Sequence, residues 1–210
     1  MKKLLLTTFV CFTTLLGAQE ITEQPESIDS LTTSIKRFSV GLKIGVPNIA
    51  GLSLEGVTPL LDNRIAPFVD ISGFDVKDAE TEIGLSYTEF GTNIYLGNKG
   101  KGAYAGIGFG KLSTDLTFYE NIDGGGRGKG STGLDIQSTN LKFGIKTGGR
   151  IYFRFEVGYG LTSDIPDEIT VTLREIEGSQ SETETFEVPT IPGLGTNGLL
   201  VGNFGFGISF

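Results

Sequence analysis

From Phe38 to the end of the chain, apolar and small or polar side chains take turns. Phe38, Val40, Leu42, Ile44 and Val46 alternate with Ser39, Gly41, Lys43 and Gly45, the period of two that a strand with one apolar face requires. Pro47-Asn48 marks a turn, and Ala50, Leu52 and Leu54 then stand against Gly51, Ser53 and Glu55. A third strand at about 64–74 sets Ile65, Val69 and Ile71 against Ala66, Phe68, Asp70 and Ser72. The fourth, about 82–96, begins with Ile83, Leu85 and Tyr87 on odd positions and ends with Phe90, Ile94 and Leu96 on even ones. Such a change of phase predicts one extra residue, a bulge near Thr88.

Gly97 to Gly102 is turn chemistry. The fifth strand places Ala105, Ile107 and Phe109 opposite Tyr104, Gly106, Gly108 and Gly110, and its later part (Leu112, Leu116, Phe118) changes phase again. Residues 120–133 are glycine-rich and read as a loop. A sixth strand sets Leu141, Phe143 and Ile145 against Asn140, Lys142, Gly144 and Lys146. After Thr147-Gly148-Gly149-Arg150, the seventh runs from Ile151 to Leu161 with Tyr152, Arg154 and Glu156 on its other face. A hairpin centred on Gly149 would put Lys142 opposite Glu156 and Gly144 opposite Arg154. Segment 163–196 holds eight carboxylates and one arginine and reads as a protruding surface hairpin, a place for a surface partner. The last strand carries Leu200, Phe204, Phe206, Ile208 and Phe210 on one face and Asn203, Gly205, Gly207 and Ser209 on the other.

This pattern predicts an all-β fold: a closed antiparallel up-and-down transmembrane β-barrel of about eight strands, over residues 36–210. A soluble barrel would cover its polar face with long charged side chains. Here that face is mostly glycine, serine and asparagine, which suits a narrow interior, while the apolar face has hardly a charge and suits lipid, where a lysine or arginine at mid-depth costs ~2–4 kcal/mol. The connections agree: 60–63, 97–102 and 148–150 are short, and the alternate ones, 47–48, 75–81, 120–133 and 163–196, grow along the chain. The inferred inward face collects Lys43, Lys142, Lys146 and Arg154 with Glu55, Asp70, Glu89 and Glu156. Four charges of each sign predict a lumen filled by ion pairs; a polar path for small solutes is the alternative.

Residues 1–18 read as a signal peptide, with Lys2-Lys3, an apolar run from Leu4 to Leu16 and small Gly17-Ala18 before Gln19. That run falls short of the ~20 residues of a membrane-spanning helix. Its Cys11 is the single cysteine, so no disulfide or thiolate chemistry is expected after it. Residues 19–35 form a flexible acidic N-terminal segment. Loss of two lysines from 17 basic residues leaves 15 against 25 acids, a net charge of −10, which argues against a nucleic-acid partner.

The chain has no histidine. Neither a Ser/His/Asp nor a Cys/His nor a histidine-metal constellation can be assembled, so no enzyme, metal or cofactor is expected. Gly124 to Gly133 lacks phosphate-loop spacing, and Gly106 to Gly110 lacks dinucleotide spacing.

Leader, alternating strands and a terminal Phe210 together resemble small bacterial outer-membrane barrels of the OmpA/OmpX type. The glycine-rich style and the Gly17-Ala18-Gln19 junction resemble Bacteroidota porin-family and outer-membrane β-barrel proteins. The resemblance implies residence in the outer membrane of a Gram-negative cell as a monomer among outer-membrane lipid. It also implies that Phe206, Ile208 and Phe210 form the signal read by the barrel-insertion machinery. Two roles remain: a non-catalytic structural or surface-interaction barrel, and a narrow passive channel of porin-like type.

Overall fold

A computed structural model describes residues 35–78, 80–121, 126–162, 168–176, 178, 181–187, 194–195 and 198–210. The signal peptide and nearly all of the acidic segment expected over 19–35 lie outside the described residues. Eleven strands are present: β1 (Phe38–Val46), β2 (Ile49–Gly56), β3 (Ile65–Lys77), β4 (Thr81–Tyr95), β5 (Gly102–Asn121), β6 (Arg127–Lys146), β7 (Ile151–Thr162), β8 (Glu168–Glu175), β9 (Ser181–Glu187), β10 (Leu194–Gly195) and β11 (Gly198–Ser209). Each of β1 to β6 pairs antiparallel with the next, β7 pairs β11, and β11 pairs β1 through Leu42↔Phe206. The ring is therefore a closed, eight-stranded, up-and-down barrel, all-β, with no helix among the described residues. Closure satisfies the backbone hydrogen-bonding groups that an open sheet leaves at its edges.

The hairpin β8–β9 stands off this ring. It attaches to the far end of β6 through Gly128↔Glu175 and Lys129↔Arg174, beyond the end of β7. Because β7 pairs directly with β11, the ring closes without β8 and β9, in line with the protruding hairpin expected from their acidity, while Leu194 and Gly195 of β10 pair with Leu199 and Gly198 of β11.

Inside and outside follow the parity read from the chain. Outward positions on β7, Ile151 to Leu161, are all large and exposed, and those of β1, β2, β6 and β11 repeat the pattern. From Ile151 to Leu161 the strand rises roughly 33 Å along its own axis, which a tilt near 40° turns into about 25 Å of height. No charged side chain lies on the outer face of the barrel within that band among the described residues.

Three expectations need correction. The registers of β3–β4, β4–β5 and β5–β6 run unbroken through Asp70↔Glu89, Glu89↔Gly110 and Leu112↔Ile136, so there is no bulge near Thr88 and no phase change in β5. What changes is the chemistry of one continuous inward face. Away from the termini it turns apolar: Tyr87, Leu112, Ile136 and Leu199 form a buried cluster with Leu134 packed on it, while Lys111 and Asp135 occupy the outer face. Residues 120–133 are not a loop, since β5 reaches Asn121 and β6 starts at Arg127. Each of these strands has 20 residues where ~9–11 cross a bilayer, so the wall overshoots the apolar band at the end opposite the termini. The third correction concerns the β6–β7 hairpin. It pairs Gly144 with Glu156 and Lys146 with Arg154, centred on Arg150 rather than Gly149. Thr147 causes the two-residue shift: its backbone N–H donates to Phe153 O at 2.8 Å and its Oγ1 accepts the Phe153 N–H at 2.8 Å, closing a wider loop than the glycine pair suggests.

Candidate functional site

All eight charged residues expected inside are inside, none more than 4% exposed. They form one chain of alternating sign. Lys146 lies 2.7 Å from Glu55, and Glu55 takes Arg154 Nη2 at 2.6 Å. Arg154 approaches Glu156 at 3.9 Å, and Lys43 bridges Glu156 (2.7 Å) to Asp70 (2.5 Å). Asp70 lies 3.9 Å from Lys142, which closes on Glu89 at 3.0 Å. Six strands supply these groups, so every pair except Arg154–Glu156, which lies within β7, also ties separate strands of the wall together. Glu156, expected opposite Lys142, instead meets Lys43 across the lumen.

Neutral groups complete the network, and sequence reasoning did not assign them this task. Tyr104 Oη donates to Glu156 at 2.6 Å, Asn93 Nδ2 to Glu55 at 2.8 Å, and Tyr95 Oη to Glu55 at 2.9 Å. Lys146 also donates to Ser39 Oγ at 2.7 Å, and Asn140 Nδ2 donates to Tyr87 Oη at 2.6 Å. Phe68 lies beneath Lys142, with the ammonium 4.0 Å from its ring centre. The usable signal was parity: Tyr95 and Tyr104 fall on the same alternate positions as the inward glycines and asparagines.

Those glycines provide the space. A Cβ at Gly144 would run into the Tyr104 ring and the Phe155 carbonyl, one at Gly41 into Tyr152 and the Phe206 carbonyl, and one at Gly108 into the Glu89 carboxylate. Long side chains thus lie over the bare backbone of nearby strands, Tyr104 over its register partner Gly144 and Glu89 beside Gly108 on the next strand. An eight-stranded interior is just wide enough for such filling.

Apolar layers close the charged zone at both ends. At the termini end, Val57, Ala66, Tyr95 and Tyr104 cluster with Ile35 packed against them. Lys36 donates to Ser209 O at 3.3 Å and Arg37 to Val57 O at 3.3 Å, drawing the chain before β1 over that mouth. The cluster of Tyr87, Leu112, Ile136 and Leu199 is the opposite layer. Ions between these layers have strong fixed partners and apolar lids, so the arrangement suits a rigid plug. Among the described residues no group of three or more potential metal ligands is assembled.

Phe206, Ile208 and Phe210 are exposed on the outer face near the termini, with Phe210 packed 6.3 Å from the Phe38 ring. On the far side of the apolar band, Lys111 and Asp135 form an exposed ion pair at 2.8 Å. Hydrogen bonds from Lys111 and Ser113 hold the Asp135 carboxyl below the usual carboxylate range.

No protein-family model matches the chain, and no curated protein matches it. Among solved structures, the crystal structure of CarO from Acinetobacter baumannii is similar over 83% of this chain and 98% of that one, at 13% sequence identity and a TM-score of 0.46.

Proposed function

We propose that the chain is a non-catalytic β-barrel of a Gram-negative outer membrane, closed to solutes, whose function lies in the wall that rises beyond the membrane. The observation that carries this reading is the paired, capped lumen inside a charge-free apolar wall. The apolar band matches the ~25 Å expected of outer-membrane barrels. The absence of histidine leaves no general base of the kind that lipid-modifying barrels use. With the termini at the periplasmic end, the 20-residue strands β5 and β6 and the hairpin β8–β9 project outside the cell.

Envelope fractionation and planar-bilayer recording test the two halves of the reading. The protein should partition with outer membranes and run as a heat-modifiable band. Purified and reconstituted, it should be nearly silent. Recovery as a soluble periplasmic protein would refute the location, and large, reproducible single-channel steps would refute the plug and favour a passive channel.

A further inference from the structure

The ring closes only as high as its shortest strands allow. Strand β2 pairs β3 from Gly51↔Ser72 downward, so Phe74 to Lys77 of β3 have no paired strand on that side among the described residues, and all four are exposed. The direction of the free backbone groups follows from neighbours on the same strand. Arg64 O and Asp78 N–H bond toward β4, whereas Ile65 O bonds toward Thr58 on the β2 side. Odd positions therefore point their N–H and C=O toward the β2 side; the Gly51↔Ser72 pair takes the Gly73 N–H onto Ala50, and those of Asp75 and Lys77 have no strand partner on that side among the described residues.

The side chains along this edge are two-faced. Phe74 and Val76 point to the concave side, 45% and 43% exposed, and continue across the sheet into Leu85 and Ile83. Asp75 lies on the outer side, in a row with Gly84 and Asp115. Lys77 is engaged with Glu82 at 3.2 Å. A strand laid against the edge would thus meet apolar groups on one face and carboxylates on the other. Edge strands usually carry blocking prolines, bulges or lysines; here there is no proline, the register is continuous, and the lysine is paired.

We propose that the free edge of β3, Phe74 to Lys77, is a docking site for an extended segment of another protein in which apolar and basic residues alternate. It would add as a further strand, its main chain bonded to Asp75 and Lys77, its apolar side chains on Phe74 and Val76, and a basic side chain on Asp75. A second copy of this chain fits poorly. Antiparallel self-pairing centred on Asp75 would set Asp75 directly opposite itself, and like charges so placed repel. The site rests on the proposed location only in that the edge must lie outside the membrane.

The test uses the full mature chain in zwitterionic nanodiscs and a fluorescein-labelled peptide of alternating leucine and lysine, seven residues long, with its leucine–glutamate counterpart as control. Fluorescence anisotropy above empty nanodiscs should show saturable binding of the basic peptide and at least tenfold weaker binding of the acidic one. Asp75→Pro removes the central N–H and the charge at a position where an edge strand tolerates proline, and should weaken binding at least tenfold. Asp75→Lys keeps the N–H and should reverse the preference between the two peptides. Phe74→Ser should also weaken binding tenfold, and Lys111→Ala on the neighbouring outer wall should leave it unchanged. Heat-modifiable migration checks that each variant is folded. Absence of saturable binding, or equal binding by wild type and both Asp75 variants, would overturn the site. So would a dimer in sedimentation that Asp75→Pro abolishes. Location is read separately by fractionation, so either idea can fail without the other.

Discussion

Replacing Glu55 by glutamine probes the charged chain at its most connected acid. Its two oxygens hold Lys146 at 2.7 Å and Arg154 at 2.6 Å and accept from Asn93 and Tyr95. Glutamine preserves volume but leaves the lumen with four positive and three negative groups, and Lys146 keeps only Ser39 within 2.7 Å. Removing one partner of a buried pair costs about 3–5 kcal/mol, because the other charge remains out of water. The exposed pair Lys111–Asp135 is the internal control, since solvent screens such a pair and it contributes little. Urea unfolding of protein reconstituted in lipid vesicles, followed by tyrosine fluorescence and gel mobility, measures both. Glu55→Gln should lower stability by several times more than Asp135→Asn. The double variant Glu55→Gln/Lys146→Met should recover part of the loss, because it removes the stranded cation as well. A loss below about 1 kcal/mol for Glu55→Gln, or no recovery in the double variant, would refute a tightly coupled dry network and imply that water reaches these groups.

Gly144→Ala should cost about 1–3 kcal/mol through overpacking against Tyr104 and the Phe155 carbonyl, visible as a lower urea midpoint; an unchanged midpoint would mean that the lumen has slack. Deletion of Phe210 should reduce the heat-modifiable form in outer-membrane fractions, and normal folded levels would remove this residue from the assembly signal. Because the Asp135 carboxyl is held down by Lys111 and Ser113, it should stay ionised below the usual carboxylate range. Its contribution is present above the unfolded pKa and lost as pH falls through the folded one. Side-chain NMR titration should show Asp135 protonating at lower pH than in Lys111→Ala, and coincident curves would count against the pair.

Alternation by itself determined which residues face inward. With a period of two, one parity choice per strand assigns every side chain, and from it came the eight interior charges and the outward Phe206, Ile208 and Phe210, while the acidity of 163–196 pointed to a protruding hairpin. Parity does not say which inward charge meets which. Lys142 turns to Glu89 and Lys43 to Glu156 because partners across a lumen are set by strand tilt and stagger, properties of the closed sheet as a whole. The β6–β7 register was lost for a local reason, a side chain of Thr147 capping Phe153 N–H where only the glycines had been weighed. The supposed bulges in β4 and β5 arose from assuming that apolar means outward along a whole strand. Tertiary structure decided otherwise: beyond the apolar band the surroundings of the wall invert, so Leu112 and Ile136 turn into a closed interior while Lys111 and Asp135 face outward. A continuous strand crossing from one environment to another looks, in sequence, like a strand that has slipped by one residue. The free edge of β3 was hidden for the same kind of reason, since an edge exists only where a neighbouring strand ends, and that is known once the strands are assembled.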